Sequence, residues 1–217
     1  MGSSFKESDG RIIIDHLIET IHANRAYLSE IDGAIGDGDH GINMDKGFSM
    51  AEKELYGRDV GMSEAFKCLG RILVDEIGGS MGPLYGTFFK RMARASKETG
   101  NIDTRILYEM LKAAYEGIQS LGNAKVGDKT LVDTLDPAVS ALKDAAGKEK
   151  NIAAAVEDMI SAAEAGWKST RDLVAKIGRA SRLGERSRGV LDAGATSCYL
   201  MLKSIGDTVK ELATSGD

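Results

Sequence analysis

Proline and cysteine are scarce in this sequence of 217 residues, which contains only two of each. Because proline interrupts helices, its scarcity, together with plentiful Ala, Leu, Lys, Glu and Met, favours helical structure throughout. Cys68 and Cys198 lie far apart and form no cluster with histidine. This spacing argues against a disulfide scaffold and a structural zinc site, and it predicts reduced thiols in the cytoplasm.

Positive charge is also in deficit, with 28 Lys and Arg against 33 Asp and Glu. The net charge of −5 argues against broad nucleic-acid binding, which needs clustered basic residues. The densest basic stretch, residues 178–188, mixes Arg with Gly and Ser and predicts a local anion site at most. No apolar run approaches the roughly 20 residues that span a bilayer, and the first residues lack the core of a signal peptide. We therefore expect a cytoplasmic protein without nucleic-acid or membrane partners.

Apolar residues recur at helical spacing along most of the chain, while strand signals are weak. The pattern predicts eight helices, near residues 10–31, 43–56, 62–77, 83–98, 103–121, 130–146, 150–170 and 193–214. Short connections between them predict an all-α fold, either an antiparallel bundle or a closed helical barrel. We expect a flexible tail over residues 1–9 and a single domain over residues 10–217.

The 26 glycines collect in a few connections instead of spreading evenly. The richest stretches are residues 33–47, 78–86, 122–127 and 178–194. One glycine-rich connection is ordinary helix capping, but several together indicate backbone brought close to a ligand.

Three carboxylates, Asp32, Asp37 and Asp39, fall within eight residues in the first of these stretches. A solvated turn is one interpretation, since Asp and Gly are typical turn residues. The other is a Mg²⁺ site, because hard carboxylate oxygens suit magnesium with phosphate, whereas zinc prefers His or Cys. A calcium EF-hand is excluded because Gly41 and Phe48 break its pattern.

Two further segments offer backbone N–H groups to phosphate. Residues 41–43 open a predicted helix, and residues 78–86 precede another that has Pro83 in its first turn, with the Ser80 hydroxyl beside it. A close helix crossing that needs small residues explains residues 78–86 equally well. His40 is either a packing residue or a hydrogen-bond donor to bound phosphate.

Residues 122–130 nearly match a Walker A loop, but Asp128 is inserted before the lysine and a helix is predicted upstream, so a P-loop is rejected. The stretch from Asp128 to Asp136 is instead a candidate helix cap and pocket wall. Leu131 there offers an apolar surface to a base.

Four motifs carry a resemblance to a known family. They are IDGAIGDGDHGINMDKGF, GGSMGPLYGTFF, GDKTLVDTLDPA and GRASRLGERSRGVLDAGATSCYL. The chain resembles the ADP-binding L subunit family of dihydroxyacetone kinases, in sequence order over roughly residues 10–214. The resemblance implies an eight-helix antiparallel up-down closed barrel with a nucleotide site at one end.

The resemblance also implies roles for individual residues. Asp32, Asp37 and Asp39 would bind two Mg²⁺ ions that bridge the phosphates, and with Arg179 they would carry catalysis. Family members often have a small hydroxyl residue where this chain has Met81. The positions implied to bind ADP or ATP are His40, Gly41, Ile42, Asn43, Ser80, Met81, Gly122, Thr130, Leu131, Arg179, Asp192, Ala193 and Gly194.

By the same resemblance, Thr130 and Leu131 would border the adenine, and Arg179 with residues 192–194 would belong to a lid. The implied activity is that of a phosphotransferase subunit with resident ADP. A phosphocarrier subunit of the phosphotransferase system would rephosphorylate the nucleotide, and dihydroxyacetone would be held on a partner kinase subunit. The alternatives are an ATP-dependent kinase subunit for another small ketose or a fatty acid, and a non-catalytic nucleotide-sensing partner of a transcription regulator.

Overall fold

The computed structural model describes residues 4–215, and most of them lie in helices. The α-helices are α1 (Arg11–Ile35), α2 (His40–Leu55), α3 (Met62–Glu76), α4 (Met81–Ser96), α5 (Thr104–Leu121), α6 (Val132–Gly147), α7 (Ile152–Ser169) and α8 (Ala193–Ser215). Shorter elements are two strands, β1 (Ser4–Lys6) and β2 (Asn101–Asp103), and 3₁₀ turns at Glu7–Gly10, Thr170–Asp172 and Arg179–Ser187. The predicted all-α class and the eight helices are confirmed within this part of the chain.

Each α-helix packs against the next one in sequence, and α8 packs against α1, so the helices form a closed ring. The direction of neighbours is visible in the contacts between α3 and α4. Gly82 lies against Leu73, whereas Gly86, one turn later, lies against Gly70, one turn earlier. Contact positions that run in opposite directions define antiparallel neighbours, as the predicted up-down barrel requires.

The interior of the ring is a single apolar cluster to which all eight helices contribute. Its aromatic part lies among α2, α3 and α4, where Phe89 stacks on Phe66 at 5.6 Å and meets Phe48 and Phe88 edge-on at 6.0 Å and 5.1 Å between ring centroids. Such offset and edge-on pairs add to the stabilisation that burial already provides. Among the residues described, no helix combines the length and apolarity needed to cross a membrane.

Two helix boundaries near the acidic stretch differ from the prediction. Helix α1 continues through Gly33 to Ile35, and α2 begins at His40 instead of residue 43. Gly33 costs only about 1 kcal/mol within a helix, and the extra turn buries the side chain of Ile35 against the core. Asp32 therefore lies on the last turn of α1.

Residues 4–9, which fall within the predicted flexible tail, form strand β1 and most of a 3₁₀ turn. Strand β1 pairs antiparallel with β2, with Phe5 opposite Ile102, and both side chains are buried. A three-residue strand is too short to show a period-two pattern, so no periodicity indicates it. Residues 1–3 lie outside the described residues.

Helices α6 and α7 approach each other closely at a proline. Pro137 lies inside α6 and has no N–H to donate to the carbonyl of Asp133. Gly166 of α7 lies over that carbonyl, where an added Cβ would be 2.1 Å from the Asp133 oxygen. Glycine is therefore required at this crossing for steric reasons.

We expect Gly166→Ala to destabilise the protein by about 1–3 kcal/mol, although alanine is the better helix former, because the methyl group forces α6 and α7 apart. Thermal and urea denaturation measure the change. Gly147→Ala is the matched control, since Gly147 ends α6 and an added Cβ there meets no atom within 4 Å. Equal stability of the two variants would contradict the packing argument.

Candidate functional site

A cavity of about 810 Å³ lies at one end of the ring. Its wall includes residues from the α1–α2, α3–α4, α5–α6 and α7–α8 connections. In an up-down ring these alternate connections all fall at the same end, so the four glycine-rich stretches of the sequence meet there. The volume lies within the range of small-molecule sites.

The three predicted carboxylates converge in this cavity. Oxygen atoms of Asp32, Asp37 and Asp39 lie within 4.8 Å of one another. Gly38 adopts a φ of +77°, which favours glycine and turns the chain so that the two later carboxylates approach Asp32. Oδ2 of Asp32 accepts a hydrogen bond from the backbone N–H of His40 at 3.3 Å, which ties α1 to the start of α2.

The donor set of this cluster fits magnesium. It consists of hard carboxylate oxygens, half-exposed or exposed, which leaves room for water and phosphate in the coordination shell. Three such carboxylates repel one another unless positive charge is close. Arg179, from the α7–α8 connection, forms an ion pair with Asp37 and supplies part of that charge.

A chain of hydrogen bonds links the start of α2 to α4 and α8. The ring Nε2 of His40 lies 2.9 Å from the Ser197 hydroxyl, which is 2.6 Å from the Tyr85 hydroxyl, and Tyr85 donates to the carbonyl of Gly194 at 2.9 Å. Burial lowers the pKa of His40 to about 4, although the charge of Asp32 opposes the shift. The imidazole is therefore neutral at pH 7.

Asp192 caps the start of α8 at the cavity wall. One oxygen of its carboxylate accepts a hydrogen bond from the N–H of Ala195 at 2.7 Å. The backbone N–H of Asp192 donates to the Thr170 hydroxyl at 3.1 Å. Burial raises the pKa of Asp192 to about 7, while the Ala195 hydrogen bond and the Lys129 ammonium act in the opposite direction. Asp192 therefore adds little negative charge to the cavity at slightly acidic pH.

The near-match to a Walker A loop is not a phosphate cradle. Asp133 accepts hydrogen bonds from the N–H groups of Gly127 at 2.5 Å and Thr130 at 2.7 Å, and so shapes the turn before α6. The ammonium of Lys129 donates to backbone carbonyls of the α7–α8 connection and not to the cavity. Rejection of a P-loop agrees with this geometry.

The structure brings most of the predicted residues together. The cavity wall contains Asp32, Asp37, Asp39, His40, Asn43, Ser80, Met81, Gly122, Thr130, Leu131, Arg179, Asp192, Ala193 and Gly194. Gly41 and Ile42 do not line it. Gly41 instead lets α2 pack on α1, since an added Cβ would be 2.0 Å from the Arg25 carbonyl, and the side chain of Ile42 is half-exposed outside the cavity.

Sequence reasoning missed three residues of this region, namely Tyr85, Ser197 and Lys129. Tyr85 and Ser197 form hydrogen bonds between segments far apart in the chain, which no local pattern reveals. Lys129 lies two residues after Gly127 in a turn where both residues have positive φ, and the Gly-Asp-Lys run indicates the turn but not the carbonyls that the ammonium contacts.

The model of the DAK2 domain family matches residues 34–207. That range covers Asp37, Asp39 and all four connections of the cavity wall, and it begins two residues after Asp32. The chain belongs to the DAK2 domain family.

Two relatives of this DAK2 chain are ADP-binding subunits of PEP-dependent dihydroxyacetone kinases. The protein from Escherichia coli is 39% identical over 85% of this chain and 89% of its own length. One from Listeria innocua is 39% identical over 88% of this chain and 90% of its own length. Among solved structures, the dihydroxyacetone kinase of C. freundii in complex with AMP-PNP and Mg²⁺ superposes with a TM-score of 0.67 at 21% identity. This DAK2 chain is covered to 96% but spans only 35% of that longer protein, so the likeness concerns the fold.

We expect the raised pKa of Asp192 to make the protein less stable as the pH rises from about 4 to about 7. In this window the unfolded carboxyl is ionised while the folded one still holds its proton, so each step in pH favours unfolding, by up to about 1 kcal/mol per unit. Asp192→Asn keeps a cap oxygen for Ala195 and removes the ionisation. The free energy of unfolding of the variant should therefore increase relative to that of the wild type as the pH rises, and the difference should become constant about one unit above pH 7.

Thermal denaturation at pH 5, 6, 7 and 8, without nucleotide and with a chelator, measures this difference. A constant gap between the two proteins at all four pH values would contradict the assignment. Asp75→Asn, an exposed carboxylate of α3, is the control for general charge effects.

Proposed function

We propose that this chain is the nucleotide- and Mg²⁺-binding subunit of a PEP-dependent dihydroxyacetone kinase. The observation that carries the proposal is the convergence of the Asp32, Asp37 and Asp39 carboxylates in the cavity of a DAK2 chain. In this role the Asp32, Asp37 and Asp39 carboxylates would hold Mg²⁺, which would neutralise the charge of the nucleotide phosphates. The cavity would hold the nucleotide through which a phosphoryl group passes from a phosphocarrier protein to dihydroxyacetone on a partner subunit.

The residues of the cavity divide into a charged part and an apolar part. The three carboxylates hold the metal, and Arg179 faces them from the opposite wall, where a guanidinium suits phosphate oxygens. Helices α2 and α4 both begin at the cavity, and their N-termini and the Ser80 hydroxyl favour a diphosphate.

The apolar part of the wall suits a nucleobase. Leu131 and Ile118 are buried residues of the wall, and Leu121 beside them is about half-exposed. Met81 is also buried in the wall, so its thioether adds to this surface and offers no hydroxyl to phosphate. A contact between phosphate and residue 81 therefore uses the backbone N–H.

Removal of one carboxylate from the cluster should weaken Mg²⁺-dependent ADP binding by at least about tenfold, or about 1.4 kcal/mol. Asp32→Asn, Asp37→Asn and Asp39→Asn each remove a negative metal ligand at nearly constant volume. Calorimetric titration with ADP, in Mg²⁺ and in chelator, separates the metal-dependent part of the affinity.

Asp75→Asn serves again as the matched control, since its carboxylate is exposed on α3 and pairs with Arg71. Undiminished metal-dependent ADP affinity in all three cluster variants would falsify the site assignment. Circular dichroism of each variant verifies that the ring is still folded.

Whether the protein retains ADP through purification tests the source of the phosphoryl group. A subunit served by a phosphocarrier keeps ADP as a resident cofactor, so native mass spectrometry of gently purified protein should show one ADP per chain. An empty site that exchanges freely with ATP would instead favour the ATP-dependent kinase of another small ketose or a fatty acid. The comparisons with known proteins do not favour a role beside a transcription regulator.

A further inference from the structure

The connection between α7 and α8, residues 170–192, forms one wall of the cavity and carries Arg179. It is long for a connection in a helical ring, and its side chains provide almost no apolar core. Between residues 171 and 192, only Ala175 and Ser187 are buried. Two small buried side chains remove too little apolar surface from water to fix a segment of this length. Another interaction must hold its shape.

Backbone hydrogen bonds, such as that from the Gly189 N–H to the Arg171 carbonyl at 2.7 Å, join parts of the connection. The ammonium group of Lys129, from the α5–α6 connection, contacts both of its ends. Lys129 is 1% exposed. Its Nζ donates to the backbone carbonyls of Thr170 at 2.7 Å, Leu173 at 3.2 Å, Ser187 at 2.7 Å and Val190 at 2.6 Å. Because an ammonium has three protons, one of them is shared between two carbonyls. These acceptors come from the first and the last residues of the connection, so one charge joins its two ends.

The surrounding hydrogen bonds reinforce this centre. The N–H of Ala175 donates to the hydroxyl of Ser187 at 2.9 Å, and the carbonyl of Ser187 is one of the acceptors of the ammonium. The N–H of Lys176 donates at 3.1 Å to the carbonyl of Asp128, the residue that precedes Lys129. The two connections are therefore joined to each other at neighbouring positions.

The backbone at Lys129 also indicates a constraint. Its φ is +64°, a left-handed conformation that is uncommon for a lysine. The turn is maintained by Asp133, which accepts from the N–H groups on both sides of Lys129. A residue kept in a disfavoured conformation by its surroundings is typical of functional sites.

We propose that Lys129 is a positioning residue whose ammonium holds the 170–192 connection over the cavity and thereby keeps Arg179 opposite Asp37. The four carbonyls form a cage for a small cation, and the lysine supplies that cation covalently. Only the identity of the ligand beneath the connection rests on the proposed function. Without the charge, the carbonyls repel one another and the connection opens. A ligand that needs the closed form then binds more weakly, in proportion to the fraction that remains closed.

Lys129→Met and Lys129→Gly remove the ammonium in two different ways. Methionine keeps much of the alkyl chain, whereas glycine adopts a positive φ without strain and so excludes backbone strain as the cause. In both variants, without nucleotide, amide hydrogen exchange should accelerate at least about tenfold within residues 170–192 and remain unchanged in the interior of α3 and α4. The rate of ADP dissociation should rise by about the same factor.

Chemical rescue distinguishes positioning from a general loss of stability. Butylammonium replaces the side chain that Lys129→Gly removes, and at millimolar concentration it should restore slow exchange in the connection, whereas butanol should not. Lys176→Met is the matched control, because Lys176 lies on the same connection but is exposed and pairs with Asp128 at 3.3 Å. This control should exchange like the wild type.

Each outcome decides the proposal. Unchanged exchange in residues 170–192 of both variants overturns it, and so does equal acceleration throughout the ring or the absence of rescue by butylammonium. Local acceleration with rescue supports it even if the wild type binds no ADP, in which case the proposed function fails and the positioning role stands. If the connection opens but ADP dissociates at the wild-type rate, the link between the connection and the ligand is overturned.

Discussion

The packing of α8 against α1 closes the ring, and the arrangement of the cavity follows from that closure. His16 of α1 is hydrogen-bonded to Thr208 of α8, and His40, the first residue of α2, is hydrogen-bonded to Ser197 near the start of α8, so the last helix is tied to the first two. An even number of antiparallel helices then places alternate connections at the same end. Acidic, glycine-rich and basic segments that are far apart in sequence become neighbours without any long loop crossing the molecule.

Charge is the difficulty that this arrangement creates. Closure gathers Asp32, Asp37, Asp39 and Asp192 at one end, where their mutual repulsion opposes folding. The protein limits this repulsion in two ways that the structure displays, the ion pair between Arg179 and Asp37 and the raised pKa of Asp192. Neither neutralises the whole cluster, so a cation with an anionic ligand relieves a repulsion that the folded chain already contains. Binding and stability are therefore linked at this site.

Helices and carboxylates were predictable from the sequence because both depend on local patterns. Apolar periodicity located all eight helices to within a few residues, and the spacing of Asp32, Asp37 and Asp39 indicated their convergence. What could not be predicted depends on contacts between distant segments. The pairing of β1 with β2 and the carbonyl cage around Lys129 have no local signature. Gly41 matched a ligand position in the motif, and its close packing against α1 is a further role that only the structure shows.

Strand β1 packs against the C-terminal helix α8, at the end of the ring away from the cavity. Phe5 and Ala213, near the two limits of the described chain, are both buried in the common core. A surface, a fluorophore or a force-measuring handle attached beyond either residue would therefore leave the cavity mouth accessible from solution. The cavity lies at one end of the ring, and Phe5 and Ala213 lie at the other. Attachment near these two residues therefore suits immobilised assays in which a second protein must approach the mouth of the cavity.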